Sequence, residues 1–355
     1  MDPVTQGLVG GLFAEAGARR GQMRRAAAVG ALSGMAPDLD VLIRSSQDSL
    51  LAIGYHRHFT HALPFAPVGA MLVALVLWPL FGSRVSGLSF ARFYLWALLG
   101  YASHGLLDAM TSYGTGLLWP LSDLRSAWNV ISVIDPLFTL PLALLLGLAV
   151  WRKRPRWAAL AASWCGLYLA VGAVQQQRAE SLTAEWAQEH GIAAQRVVAK
   201  PGFANLVLWR GLIDDGARMH VLAVRVVPGV APMLWSGGSV PKLRVDEAPV
   251  GSRLRRDLER FEHFSAGWLF AYDPIAVSIA EPGQRFLGDL RYAIDPAGRR
   301  PLWGIRFDPA RPDLGVRFER VSEVGQADRA AFFARLAGRD PEADPAAEAA
   351  RLSSP

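Results

Sequence analysis

His104 and Asp108 stand four residues apart in the stretch ASHGLLDAMTSYGTG. That spacing puts an imidazole and a carboxylate on one face of a helix. The pair can offer a nitrogen and an oxygen to one cation, or hydrogen-bond to each other and hold two helices together. A second group lies in YHRHFTHALP, where His56, His58 and His61 account for three of the chain's seven histidines. His58 and His61, at i and i+3, are compatible with one face, and His56 joins them if the turn is irregular. Beside them, Arg57 can grip a phosphate through a bidentate pair, and Thr60 can orient a ring. The third group is APDLDVL. Asp38 and Asp40 would diverge on a regular helix but can point into one cavity at a Pro-broken helix end. They read either as one ligand and one cap or as a solvated N-cap cluster.

Energetics sharpen the first group. An aspartate near the centre of a membrane span costs about 2.5–3.5 kcal/mol, and each leucine or phenylalanine returns about 0.3–0.6 kcal/mol. The Leu and Phe residues of 93–110 only about balance one such charge. Asp108 must therefore lie near the interface, be paired, or bind a cation.

The elements that must position these residues are mostly apolar. The chain has 355 residues, of which 52% are hydrophobic and only 19% charged. The apolar excess falls in residues 1–175 and most of the charge after it. Four runs are long enough to cross a bilayer, which takes ~20 apolar residues: 62–82, 93–110, 133–151 and 157–174. Two weaker segments precede them: 3–18, with Asp2 as N-cap and Pro3 at the first helical position, and 26–43, broken by Pro37. The basic links are Arg19, Arg20, Arg24 and Arg25; Arg84 and Arg92; and RKRPR at 152–156. All three fall on one side if the runs alternate, and the positive-inside rule makes that side cytoplasmic. Asp2, Asp38, Asp40, the 56–61 histidines, His104, Asp108 and Asp135 then gather at the outer ends. After a linker helix at about 178–190 the pattern becomes strand-like, for example NLVLWRGLI, MHVLAVRVV, WLFAYDPIAVSIA and LWGIRF, with SRLRRDLERFEHF as a helix. The expected fold is an all-α multi-helix membrane domain over 1–175, followed by a small α+β soluble domain over 176–325 on the outer side. A helix and a disordered tail complete 326–355.

Composition also excludes. The formal charge of +6 comes almost entirely from arginine. No basic block is interleaved with aromatics, so nucleic acid is not an expected partner. The single cysteine, Cys165, rules out an intramolecular disulfide and a Cys-rich zinc finger, leaving His, Asp and Glu as metal ligands. The N-terminal residues lack a positive n-region, so no cleaved signal peptide is expected. Asp135, before Pro136, reads first as a helix cap. Arg125 and Trp128 read as surface residues or as the lining of a pocket mouth, and His190, His220 and His263 as structural.

Taken together, MDPVTQGLVGG, APDLD, HRHFTHAL, SHGLLDAMTSYGTGLLWP and IDP resemble, in order and spacing, the membrane-bound metal-dependent hydrolases of bacterial inner membranes (the LexA-binding, inner membrane-associated hydrolase family). That family looks distantly similar to zinc-dependent phospholipase C. The resemblance covers about residues 1–140. It implies a divalent metal, in the first place zinc, held by His104 and Asp108, by Asp38 or Asp40, and by His56 and His61. It departs at Gln6, where the family commonly has a histidine. The resulting expectation is a multi-pass hydrolase that attacks a phosphoester with metal-activated water, with Asp40 and Arg57 in catalytic roles. Arg57 or Arg125 would hold the phosphate, and membrane lipid would be the partner or substrate. The alternative is a non-catalytic membrane protein whose soluble domain binds a partner and whose His/Asp cluster only locks the helices.

Overall fold

The computed structural model describes residues 1–243, 245, 248–272, 283–321 and 325–341. The chain divides into two compact units. The first comprises Met1–Arg44, Gly54–Ala173 and Phe203–Asn205, and the second Ser45–Ile53, Val174–Gly202 and Leu206 onward.

The first unit is helical. Helix α1 (Pro3–Ala16) starts at Asp2, whose carboxylate accepts from the Thr5 backbone N–H at 3.0 Å. Helix α2 (Met23–Met35) runs into a 3-10 segment, Ala36–Leu42, with Pro37 in its first turn. A short α3 (Leu51–Tyr55) and two 3-10 turns lead into α4 (Ala66–Phe81). Then come α5 (Phe90–Ala109), α6 (Pro136–Arg152) and the long α7 (Pro155–Glu189). Asp135 caps α6, taking N–H groups of Leu137 and Phe138 at 3.2 and 3.4 Å and the Tyr168 hydroxyl at 2.7 Å.

Glycines let α1, α2 and α5 approach backbone to backbone. A Cβ on Gly30 would lie 2.3 Å from the Ala14 Cβ and 2.4 Å from the Gly10 carbonyl oxygen. One on Gly100 would lie 2.3 Å from the Gly30 oxygen, and one on Gly34 would lie 2.8 Å from the Gln6 oxygen. Small residues at a four-residue repeat, here Gly30 and Gly34, are how helices pack when van der Waals contact must do the work. Beside this seam Phe93, Trp96, Ala97, Ala70 and Ala74 form a fully buried cluster.

Among the described residues, two stretches have the length and hydropathy of a span: Leu63–Phe81, at a mean hydropathy of 2.0, and Pro155–Glu189, at 1.6. In each, only 22% of the most apolar window is buried within the fold, so its apolar surface faces outward rather than into a core. The other two expected crossings differ from these. The 93–110 run becomes α5, which is long enough but has most of its C-terminal half buried by its neighbours. The 133–151 run becomes the 17-residue α6, apolar but short of a full crossing. The separate linker helix expected at 178–190 does not exist as such. Nothing in VQQQR breaks a helix, and α7 is continuous for 35 residues.

Among the described residues, the second unit holds two four-stranded antiparallel sheets. The first runs β1 (Arg196–Pro201), β2 (Leu208–Asp214), β3 (Arg218–Arg225), β4 (Met233–Pro241), in that spatial order. Helix α8 (Arg253–Ser265), N-capped by Ser252, precedes the second sheet, made of β5 (Leu269–Ala271), β6 (Arg285–Asp289), β7 (Trp303–Phe307) and β8 (Arg317–Arg320). Helix α9 (Gln326–Leu336) follows. The fold is thus a helical half followed by an α+β half. Strands β1 and β4 escaped the sequence reading; β4 carries Gly237 and Gly238, and its pairing with β3 shifts register between His220 and Leu222. The expected strand at 268–280 lies outside the described residues from 273 on, and the low-complexity tail from 342 on. Ser45–Ile53 belongs to this unit although it connects Asp40 to His56 in the chain. Ser49 Oγ donates to the Val316 oxygen (2.8 Å) and accepts from Phe318 N (3.1 Å), and Asp48 takes two hydrogen bonds from Arg260.

The seam makes a prediction. Gly30→Ala should separate α1 from α2 and cost about 1–3 kcal/mol, as overpacking does. Gly147→Ala, with open space around its Cβ position, should be neutral or stabilising by up to about 1 kcal/mol. Thermal unfolding in detergent separates the two; equal effects would contradict the close approach.

Candidate metal centre

Four side chains from three separate elements converge. Asp38 comes from the 3-10 turn after α2, His61 from the turn before α4, and His104 and Asp108 from one face of α5. Their ligand atoms all lie within 4.8 Å of one another. His61 Nε2 is 3.3 Å from Asp108 Oδ2 and 3.4 Å from Asp38 Oδ1; His104 Nε2 is 3.4 Å and 3.6 Å from the same two oxygens. Zinc–nitrogen and zinc–carboxylate bonds of ~2.0–2.1 Å in a tetrahedron imply ligand–ligand edges of ~3.3–3.4 Å. These four distances fall at or near that value.

Hydrogen bonding says the same from the other direction. His61 Nε2, His104 Nε2 and Asp108 Oδ2 are buried and have no hydrogen-bond partner. The opposite ring nitrogens are engaged. His104 Nδ1 lies 2.6 Å from the Gly34 carbonyl oxygen, which can only accept, so Nδ1 carries the proton. His61 Nδ1 lies 3.0 Å from Thr60 Oγ1 and 3.3 Å from Asp40 Oδ2. Both rings therefore turn Nε2 toward two carboxylates. A bare lone pair there is repelled, so each ring needs a second proton or a cation in the middle. Burial, reinforced by the His104 ring beside it, pushes His61 down to about 4. A carbonyl or carboxylate behind each histidine is also the usual support of a metal ligand.

The remaining candidates surround this group. Asp40 accepts from the Arg57 backbone N–H at 2.9 Å and from Thr60 Oγ1 at 3.2 Å, and its other oxygen is 2.8 Å from His56 Nδ1. Asp40 and His56 thus adjoin the four-residue cluster from the Nδ1 side of His61. His58 packs among the rings of Tyr55, Phe59 and Trp119. Buried Arg57, at a left-handed φ of 62°, places Nε 3.1 Å from Asp108 Oδ2 and donates from Nη1 to Thr111 Oγ1 at 2.8 Å. The Met1 nitrogen contacts Asp108 Oδ1. Arg57 and Arg125 both lie over the Tyr113 ring, at 4.8 and 5.8 Å, and Arg125 Nη2 donates to the oxygens of Gly114 and His56.

Sequence reasoning missed the backbone that holds the site. Gly105 is needed because a Cβ there would lie 2.1 Å from the His61 carbonyl oxygen, and Gly34 supplies the acceptor for His104. The Gly30-x-x-x-Gly34 repeat was the available signal. Thr111 and Tyr113 lie in the loop that follows α5.

Position 6 is at the site. Gln6 is buried, donates from Nε2 to Asp108 Oδ1 at 2.9 Å, and leaves Oε1 without a partner. Gln6→His should replace a weak amide contact with an imidazole nitrogen and raise the metal retained after dialysis against a mild chelator. Retention equal to or below wild type would contradict a ligand role for this position.

Comparison with known proteins bears on the helical half. Residues 1–179 match the family described as YdjM inner membrane protein. Inner membrane protein YbcI of Escherichia coli (strain K12) is 33% identical over 148 residues, covering 35% of this chain and 83% of the relative. No solved structure matches. With residues 1–179 matched, the chain belongs to the YdjM inner membrane protein family.

Proposed function

We propose that this inner membrane protein is a metal-dependent hydrolase of phosphoesters whose centre is Asp38, His61, His104 and Asp108. The observation that carries the reading is the convergence of these four ligand atoms within 4.8 Å of one another, three of them buried and without a hydrogen-bond partner, with Asp108 Oδ2 ion-paired to Arg57. When bound, a divalent cation supplies Lewis-acid chemistry, activating water and polarising a phosphoryl oxygen. The chain's own residues do the rest. Asp40 fixes the His61 ring and is placed, with His56, to take up a proton at the edge of the cluster. Arg57 compensates the charge of Asp108. Arg125, beside His56 and Tyr113, is the better placed of the two arginines to hold a phosphate. Lipid phosphoester is the substrate class that suits a centre carried on membrane helices.

A second reading has its own support. Asp108 already meets Arg57, Gln6 and the Met1 nitrogen. A charge-balanced knot of that kind can hold helices together without metal.

His104→Ala and Asp108→Asn separate the two. Under the hydrolase reading each abolishes bound metal and the hydrolysis of a phosphodiester panel, while the protein still inserts into the membrane. If the cluster only binds helices together, wild-type protein carries no metal and His104→Ala costs about 1–2 kcal/mol at most.

We further propose that the chain is multi-pass, with the centre and the C-terminal half outside the cytoplasm. Helices α2 and α5 end at the cluster, and α1, α4 and α6 begin near it. The arginines at 19–25, 84, 92 and 152–156 lie at the opposite helix ends, which the positive-inside rule assigns to the cytoplasm. Arg24 even donates to the last carbonyls of α6, Val150 and Trp151. Alkaline phosphatase fused to the C-terminus should be active and a fluorescent protein at the same position dark. The reverse pattern would contradict the orientation.

A further inference from the structure

The second unit contains a cavity of about 620 Å³ between β7, β8, the 3-10 turn Pro312–Leu314 and the segment carrying Ser46. Four arginines line it: Arg253, Arg306, Arg311 and Arg317. Two lining carboxylates, Asp308 and Glu319, leave two positive charges in excess. Its volume lies in the range of small-molecule sites.

The guanidinium groups are committed to different degrees. Arg253 donates to the Gln47 carbonyl oxygen and lies 3.8 Å from Asp257. Arg306 is 8% exposed, and its Nε is shared between both oxygens of Glu319 at 3.0 Å. Its Nη1 is buried and has no hydrogen-bond partner. A buried guanidinium donor left unpaired costs free energy that a ligand oxygen would recover. Arg311 and Arg317 are exposed at the rim. The linings Ser46 and Ser49 add hydroxyl groups, although Ser49 is spent on the β8 backbone. Several planar forks, an excess of positive charge and hydroxyl groups are the recognition chemistry of a phosphate-bearing anion.

We propose that this cavity is a phosphate-binding site, independent of the His/Asp cluster, for a small phosphoester or the phosphate of a lipid headgroup. It does not rest on the hydrolase reading, since none of its lining residues belongs to that centre.

The test titrates purified full-length protein in detergent, with chelator present so that any metal at the His/Asp cluster is removed. One arm uses inorganic phosphate and the other short-chain phosphatidylglycerol. Saturable binding is expected in at least one arm. Binding of phosphate alone assigns the site to soluble phosphoanions, and binding of the lipid alone assigns it to headgroups. In either case the double variant Arg311→Ala/Arg317→Ala should weaken binding about tenfold, the scale of one lost charge-assisted contact. These two residues are exposed, so the variant should fold even if Arg306→Gln, which unpairs Glu319, does not. No binding in either arm, or full binding by the double variant, overturns the proposal.

Discussion

The close approach of α2 and α5 is the constraint on which the centre depends. Gly30 and Gly100 bring the two backbones into contact, and that contact places the Gly34 carbonyl 2.6 Å from His104 Nδ1. The hydrogen bond sets the ring's tautomer and turns Nε2 toward Asp38 and Asp108. Gly105 does the equivalent for His61, by letting the His61 carbonyl rest on α5. Side-chain chemistry at this site is therefore inherited from backbone packing. A side chain at any of these glycines would displace a side chain of the cluster without touching it.

Charge is the second constraint. Two carboxylates and two imidazoles come together among buried helices, where an unpaired charge is costly. The fold answers with Arg57, whose guanidinium bridges Asp108 and Thr111, and with Asp40 behind His61. Arg57 holds a left-handed backbone conformation that non-glycine residues seldom adopt, the kind of local strain that gathers at functional sites. The segment that joins Asp40 to His56 is held elsewhere, by Ser49 on β8 and Asp48 on Arg260 of α8.

Much of this was legible in the sequence, for identifiable reasons. His104 and Asp108 declared themselves by helical spacing, and of the three options that the insertion cost left for Asp108 (a place near the interface, a paired charge or a bound cation) the structure shows pairing, with Arg57 and the Met1 nitrogen. The apolar-to-charged change of composition separated the helical half from the α+β half. Less legible was which of Asp38 and Asp40 faces the cluster, because the choice depends on a 3-10 turn following Pro37. Of the four expected crossings, two, Leu63–Phe81 and the apolar start of α7, have the length and hydropathy of a span among the described residues; apolar content alone did not reveal that much of α5 is buried by other helices. Strand β4 gave no alternation to read, and the continuity of α7 through VQQQR was hidden by its change from apolar to polar residues.

The central claim is that the four converging atoms form the inner shell of a bound divalent cation. X-ray absorption at the zinc edge, on full-length protein purified from the membrane without chelator, tests it most directly. The account predicts about one zinc per chain in a four- or five-coordinate nitrogen/oxygen shell at ~2.0–2.1 Å, with the outer-shell scattering of two imidazoles. Protein that carries no metal after repletion, or a shell without imidazole scattering, would contradict it.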